Sequence, residues 1–183
     1  MSSDVVGEDW YGRDLSGVEL HGMTFTDVDL TEAHAAGATF TDCSFRGVRF
    51  NASRWTDSAF TGCTFHRCSF FDAVFTGSKL VGSRLVDCTF DLLKVDGGNW
   101  SFVSLQRAAL EKVQLLGVRL READLSALIH RDAGLVLGPD PLRQAGCESV
   151  RDQLGRARCR SRRGSPSRRS VSTFTFTSSL RTG

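Results

Sequence analysis

Large apolar residues recur every five positions along this chain, a period that neither an α-helix nor a simple strand produces. In the stretch FTGCTFHRCSFFDAVF, phenylalanine falls at 60, 65, 70 and 75, with Phe71 out of step. An amphipathic helix spaces such residues three or four apart, and a half-buried strand two apart. If the large residue of each unit is its centre, the centres run Leu15, Leu20, Phe25, Leu30, Ala35 and so on to Leu125 without a slip of phase. Trp10 and Val5 extend the series backwards. Two residues before each centre from Leu20 onward stands a small or apolar side chain, as at Val28, Ala33, Cys43, Ser58 and Cys68. No charged residue occupies either set between Leu15 and Leu125, where chance at this composition would place roughly ten.

Two inward side chains separated by one outward side chain is the alternation of a strand. Here it lasts three residues and resets, so each unit must turn a corner before the next begins. Gly17, Gly22, Gly37, Gly47, Gly62, Gly77, Gly82, Gly97 and Gly117 follow their centres by two, and Asp27, Asp42, Asp57, Asp72 and Asp87 take the same place elsewhere. Glycine and aspartate tolerate turn geometry or stabilise it by local hydrogen bonds. A chain that turns the same way every five residues winds into a solenoid, each coil stacked on the last at strand spacing.

The segments EADLSAL (Glu122 to Leu128) and GRDLSGVEL (Gly12 to Leu20) resemble the A-D/N-L-x-x unit of the pentapeptide repeat family. The resemblance covers residues 5–128 and implies an all-β fold, a right-handed quadrilateral β-helix with four units, or 20 residues, per coil. The sequence agrees: Cys43 and Cys63 lie twenty apart, as do Cys68 and Cys88, and Phe50, Phe70 and Phe90. About six coils at ~4.8 Å make a rod roughly 29 Å tall.

The net charge of +2 hides a split. Residues 1–130 carry 12 Lys/Arg and 17 Asp/Glu, whereas residues 131–183 carry 11 Arg and 4 Asp/Glu. After Leu125 the phase fails, with His130 where a centre belongs, and residues 129–183 read as an irregular Arg/Ser-rich tail, expected to be disordered because it cannot bury a core. Its Arg, Gly, Ser, Ala and Pro bias is also that of a shifted reading frame in a GC-rich gene. The N-terminal residues have no signal-peptide pattern, and no stretch is long and apolar enough to span a membrane, so a cytoplasmic protein without membrane contact is expected.

The cysteines read as core packing. Cys63 and Cys68 are five apart rather than at zinc-site spacing, and no histidine pair completes a site. Stacked couples such as Cys43 and Cys63 fall within the Cα range of a disulfide, but cysteine also packs well as a small hydrophobe. No Ser/His/Asp constellation, paired carboxylates or phosphate loop stands out, so neither catalysis, a cofactor nor a small-molecule substrate is expected.

With four units per coil, every outward charge falls on a side. The sides of Leu15 and Leu20 net 0 and that of Phe25 nets +1. The side centred on Trp10, Leu30, Phe50, Phe70, Phe90 and Leu110 nets −5, from Glu8, Asp9, Asp29, Glu32, Asp72, Asp91 and Glu111 against Arg49 and Lys112. These seven carboxylates are the candidate partner-binding residues. The unbroken repeat is similar to the quinolone-resistance members, the MfpA kind more than the looped Qnr kind. That likeness implies a DNA mimic that binds DNA gyrase; the other expectation is a scaffold for a different protein. At the rod's C-terminal end, Leu128, Ile129, Leu135, Val136 and Leu137 supply apolar cover for a homodimer.

Overall fold

The computed structural model describes residues 4–125, together with the two-residue strands Ile129–His130, Val136–Leu137 and Ser172–Thr173. Three-residue strands alternate with corners, and each strand pairs in parallel with the one twenty residues on: Thr24–Thr26 with Ser44–Arg46, Ser44–Arg46 with Thr64–His66. Four units therefore close one coil, and the described solenoid makes about six coils. One side stacks Asp4–Val6 up to Ser104–Gln106 and the third stacks His34–Ala36 up to Gln114–Leu116. The second side is held by single bridges at Asp9, Asp29, Arg49, Ser69 and Thr89 before it broadens into Thr89–Asp91 and Ala109–Glu111. The fourth stacks Glu19–His21, Thr39–Thr41 and Ala59–Thr61, then continues by bridges through Lys79, Asn99 and Arg119.

Every fifth residue from Gly7 to Glu122 has a left-handed backbone, with φ between 48° and 69°. These are the corners, and their φ explains why glycine and aspartate dominate there. Ala52, Leu92 and Phe102 occupy the same position against their steric preference. Phe102 is exposed, with φ of 60°. Replacing it by glycine removes that strain and little packing, so a gain of about 1 kcal/mol is expected, read as a rise of roughly 2–4 °C in Tm. An unchanged or lower Tm would show that Phe102 packs usefully on the corner.

The centres fill the interior as four columns. Within a column the rings lie parallel: Phe25 on Phe45 at 4.9 Å, Phe45 on Phe65 at 4.8 Å, Phe40 on Phe60 at 4.8 Å, Phe50 on Phe70 at 4.9 Å. Between columns they meet edge to face, as Phe45 meets Phe60 at 65° and Phe40 meets Trp55 at 74°. Both arrangements suit the aromatic quadrupole. Coil spacing sets the first and the corners set the second.

The small residues two before each centre do more than leave room. Ser58, Ser78 and Ser83 accept the N–H of the residue one coil below: Ala38, Ser58 and Cys63. Ser78 and Ser83 then donate to the carbonyls of Trp55 and Phe60, 23 residues back, at 2.9 and 2.8 Å. The cysteines repeat this second contact: Cys63 Sγ donates to Phe40 O at 3.4 Å and Cys68 Sγ to Phe45 O at 3.5 Å. They are buried free thiols, and each helps to satisfy a backbone carbonyl one coil below.

At the N-terminal end Trp10 covers the first coil, its ring edge-on to Phe25 at 5.7 Å. Its Nε1 donates to Glu8 at 3.1 Å, and the Arg13 guanidinium lies 4.4 Å from its ring centroid. Tyr11 points outward, 57% exposed, and leaves the cover to Trp10. At the other end the twenty-residue register outlasts the apolar pattern, since Leu110 pairs with His130. It then slips by two, Gln114 pairing with Val136. Apart from these short strands, the expectations of an irregular tail over 129–183 and of a dimer through Leu128 to Leu137 lie outside the described residues.

Candidate interaction surface

Outward side chains belong to the residues flanking each centre and to the corners, so the second side carries residues 9 and 11, 29 and 31, and so on upward. Asp9, Asp29 and Arg49 are consecutive rungs of its bridge ladder. Thr31 donates its N–H to Asp29 Oδ1 at 2.9 Å, and Arg49 Nη2 donates to Asp29 Oδ2 at 2.8 Å. Glu32 and Asp72 are corner residues. Asp72 meets Lys94 Nζ at 3.4 Å, and the corner N–H of Asp72 donates to the Asp91 carbonyl at 2.9 Å. Asp91 pairs with Glu111 in the strand register.

Glu8 does not lie on this wall. Asp29 donates to the carbonyl of Glu8 as Arg49 does to that of Val28, so Glu8 occupies the column that Val28 and Val48 continue inward. It is exposed because its coil is the first, and it caps the rod's end. Arg13 stands likewise below Ala33. Of the seven expected carboxylates, Asp29 is paired with Arg49 within the side and Asp72 with Lys94 of the adjoining third side. Asp9, Glu32 and the end-capping Glu8 gather in the first two coils.

The charge is therefore arranged along the rod as well as around it. Residues 1–32 hold eight acids against Arg13, whereas residues 33–125 hold eleven Lys/Arg against nine Asp/Glu. The second side also shows two exposed aromatic rings, Tyr11 at 57% and Phe71 at 49%. Sequence reasoning marked Phe71 only as out of step; its place directly after a centre was the signal that it faces outward. Asn51 holds its backbone, accepting the Phe71 N–H at 3.2 Å.

Burial pushes the Asp29 carboxyl upward, but hydrogen bonds from Arg49 and Thr31 outweigh it and leave the pKa below the ordinary value. Hydrogen bonds from Ser16 lower Asp14, and the Arg107 guanidinium lowers Asp87. A carboxylate depressed in the folded state stabilises it above the unfolded pKa of about 3.9, and that contribution fades as pH falls further. The Tm is expected to drop between pH 5 and pH 3, and less so for Asp29→Asn. Parallel profiles for the two proteins would remove Asp29 from the account.

Among the described residues, no group of three or more His, Cys, Asp or Glu side chains converges on a common point. Residues 9–49 match the family model described as Pentapeptide repeats (9 copies). No curated protein matches the chain significantly. Similar solved structures include trypsin-treated QnrB1, a plasmid-mediated fluoroquinolone resistance protein, at 18% identity over 67% of this chain and 68% of that one, TM-score 0.41. A pentapeptide repeat protein of the Arabidopsis thaliana thylakoid lumen is 27% identical over 66% and 70%, TM-score 0.37. HetL of the cyanobacterium Nostoc, involved in heterocyst differentiation regulation, is 13% identical over 75% and 88%, TM-score 0.33.

Proposed function

This chain is a pentapeptide repeat protein, and on that premise we propose that it is a non-catalytic, protein-binding rod whose acidic side occupies a basic, DNA-binding groove of its partner. DNA gyrase is the partner that fits the family resemblance. The supporting observation is the concentration of carboxylates on one side, densest at Asp9, Asp29 and Glu32 in the first two coils. Duplex DNA over ~29 Å carries roughly 17 negative charges, far more than this side. Mimicry must therefore rest on local placement, and the partner must meet the N-terminal coils.

The test is inhibition of gyrase supercoiling by the purified protein. Reversing Asp29, Glu32, Asp72 and Asp91 to lysine is expected to weaken inhibition at least ~10-fold, and reversing Asp42 and Glu122 to change it far less. Within the first set, Glu32 should account for most of the loss, since Arg49 and Lys94 already pair Asp29 and Asp72. Inhibition should also fall steeply with added salt. Equal loss from both sets would point to total charge. An inactive wild type would remove gyrase and favour a scaffold for another protein, for which the exposed Tyr11 and Phe71 are the anchors to substitute.

A further inference from the structure

Four of the six cysteines form two stacked couples inside the rod. Cys63 stands one coil above Cys43 in the same inward column, and Cys88 one coil above Cys68. The flanking backbone fixes this register: Thr64 donates to Cys43 O at 2.9 Å, and Thr89 to Cys68 O at 3.1 Å. The four thiols also share one orientation. Each Sγ lies against the carbonyl 23 residues back, those of Leu20, Phe40, Phe45 and Phe65, at 3.6, 3.4, 3.5 and 3.6 Å. Side chains alike in column and contacts are displaced by one coil, ~4.8 Å along the axis. Two metal–thiolate bonds of the zinc–sulfur length, about 2.3 Å, laid end to end span ~4.6 Å.

We propose that each couple, Cys43 with Cys63 and Cys68 with Cys88, is a two-coordinate site for a soft monovalent cation, Cu(I). Paired thiolates select Cu(I) by softness, and a linear geometry needs no third donor. The spacing that rules out a tetrahedral zinc site leaves this one open. Protonation supports it. The neighbouring Cys63 brings the Cys43 pKa down to about 6, while Cys43 and burial push that of Cys63 up. Cys88 is lowered by its Cys68 neighbour, and Cys68 is raised by burial and by Cys88. Cu(I) displaces the thiol protons: two thiols plus Cu(I) give a bis-thiolate Cu(I) anion and two released protons, and no electron moves.

The experiment uses the reduced full-length chain with Cys147 and Cys159 replaced by serine, titrated anaerobically with Cu(I) against bicinchoninate. Two ions per chain are expected. Cys43→Ser and Cys68→Ser should each bind one, and the double variant none. Serine already follows in the Cys43 column as Ser83 and fills other inward columns as Ser53, Ser58 and Ser78, so these variants should melt cooperatively, as far-UV circular dichroism would check. The copper K-edge spectrum of the loaded chain supplies a second readout, expected to show two sulfur ligands. Fewer than two ions bound, binding that survives in the double variant, or ligation other than two sulfurs overturns the proposal.

Discussion

Phe65→Asp is expected to abolish cooperative folding. The ring is 1% exposed, stacks on Phe45 at 4.8 Å, and meets Phe50, Phe60 and Phe70 at 5.8, 5.8 and 5.7 Å. Removing it forfeits about 3–5 kcal/mol of packing. A carboxylate in its place has neither water nor partner, so it must take up a proton or open the rod, at a further cost of several kcal/mol. The sum is comparable to the roughly 5–15 kcal/mol that holds an ordinary domain folded. Phe65→Leu keeps an apolar side chain and should unfold cooperatively with a Tm only modestly reduced. A cooperative melt near wild type for Phe65→Asp would mean that the aromatic column does not carry the fold.

Gly98→Ala should be the most damaging single-methyl change among the described glycines. Gly98 is no corner residue: Gly97 takes the corner, and Gly98 stands in the inward column above Ser78 with φ of 93°. A Cβ there would overlap the Ser78 carbonyl oxygen and lie 3.0 Å from that residue's backbone C and N. The obstacle is backbone, which cannot swing aside as a side chain can. Strain of ~1–2 kcal/mol at this φ and overpacking of ~1–3 kcal/mol combine to about 3–4 kcal/mol. Gly117→Ala is the control, since φ is 63° there and nothing lies within 4 Å of the added carbon. It should cost about 1 kcal/mol. Urea midpoints of the two variants give the comparison, and equal losses would show that the coils part easily at Ser78.

Much of this was legible because a repeating constraint writes itself into the chain. An inward residue cannot carry an unpaired charge, so the apolar phase from Leu15 to Leu125 reported both inward columns. A corner that needs a left-handed φ favours glycine and aspartate, so Gly17, Asp27 and Asp42 reported the turns. Phe71 and Gly98 show the limit, because each departs from the repeat for a reason outside its own unit. The seven candidate carboxylates separated in the same way. Glu8 obeys the phase of Val28 yet is exposed, because among the described residues no coil lies beneath it. Asp29 and Asp72 lost their free charge to Arg49 and Lys94, neighbours that only stacking supplies.

By itself, then, the sequence determined the five-residue unit, which residues face inward and where the chain turns. Each of these follows from local sterics and from the cost of burying charge. The tertiary structure decided what depends on one coil meeting another. Four units close a coil because the corner angles sum that way, and composition does not encode those angles. Glu8, Trp10 and Arg13 became an end cap because the first coil has solvent on its open face. The thiols became stacked couples because parallel pairing superimposes residues twenty apart.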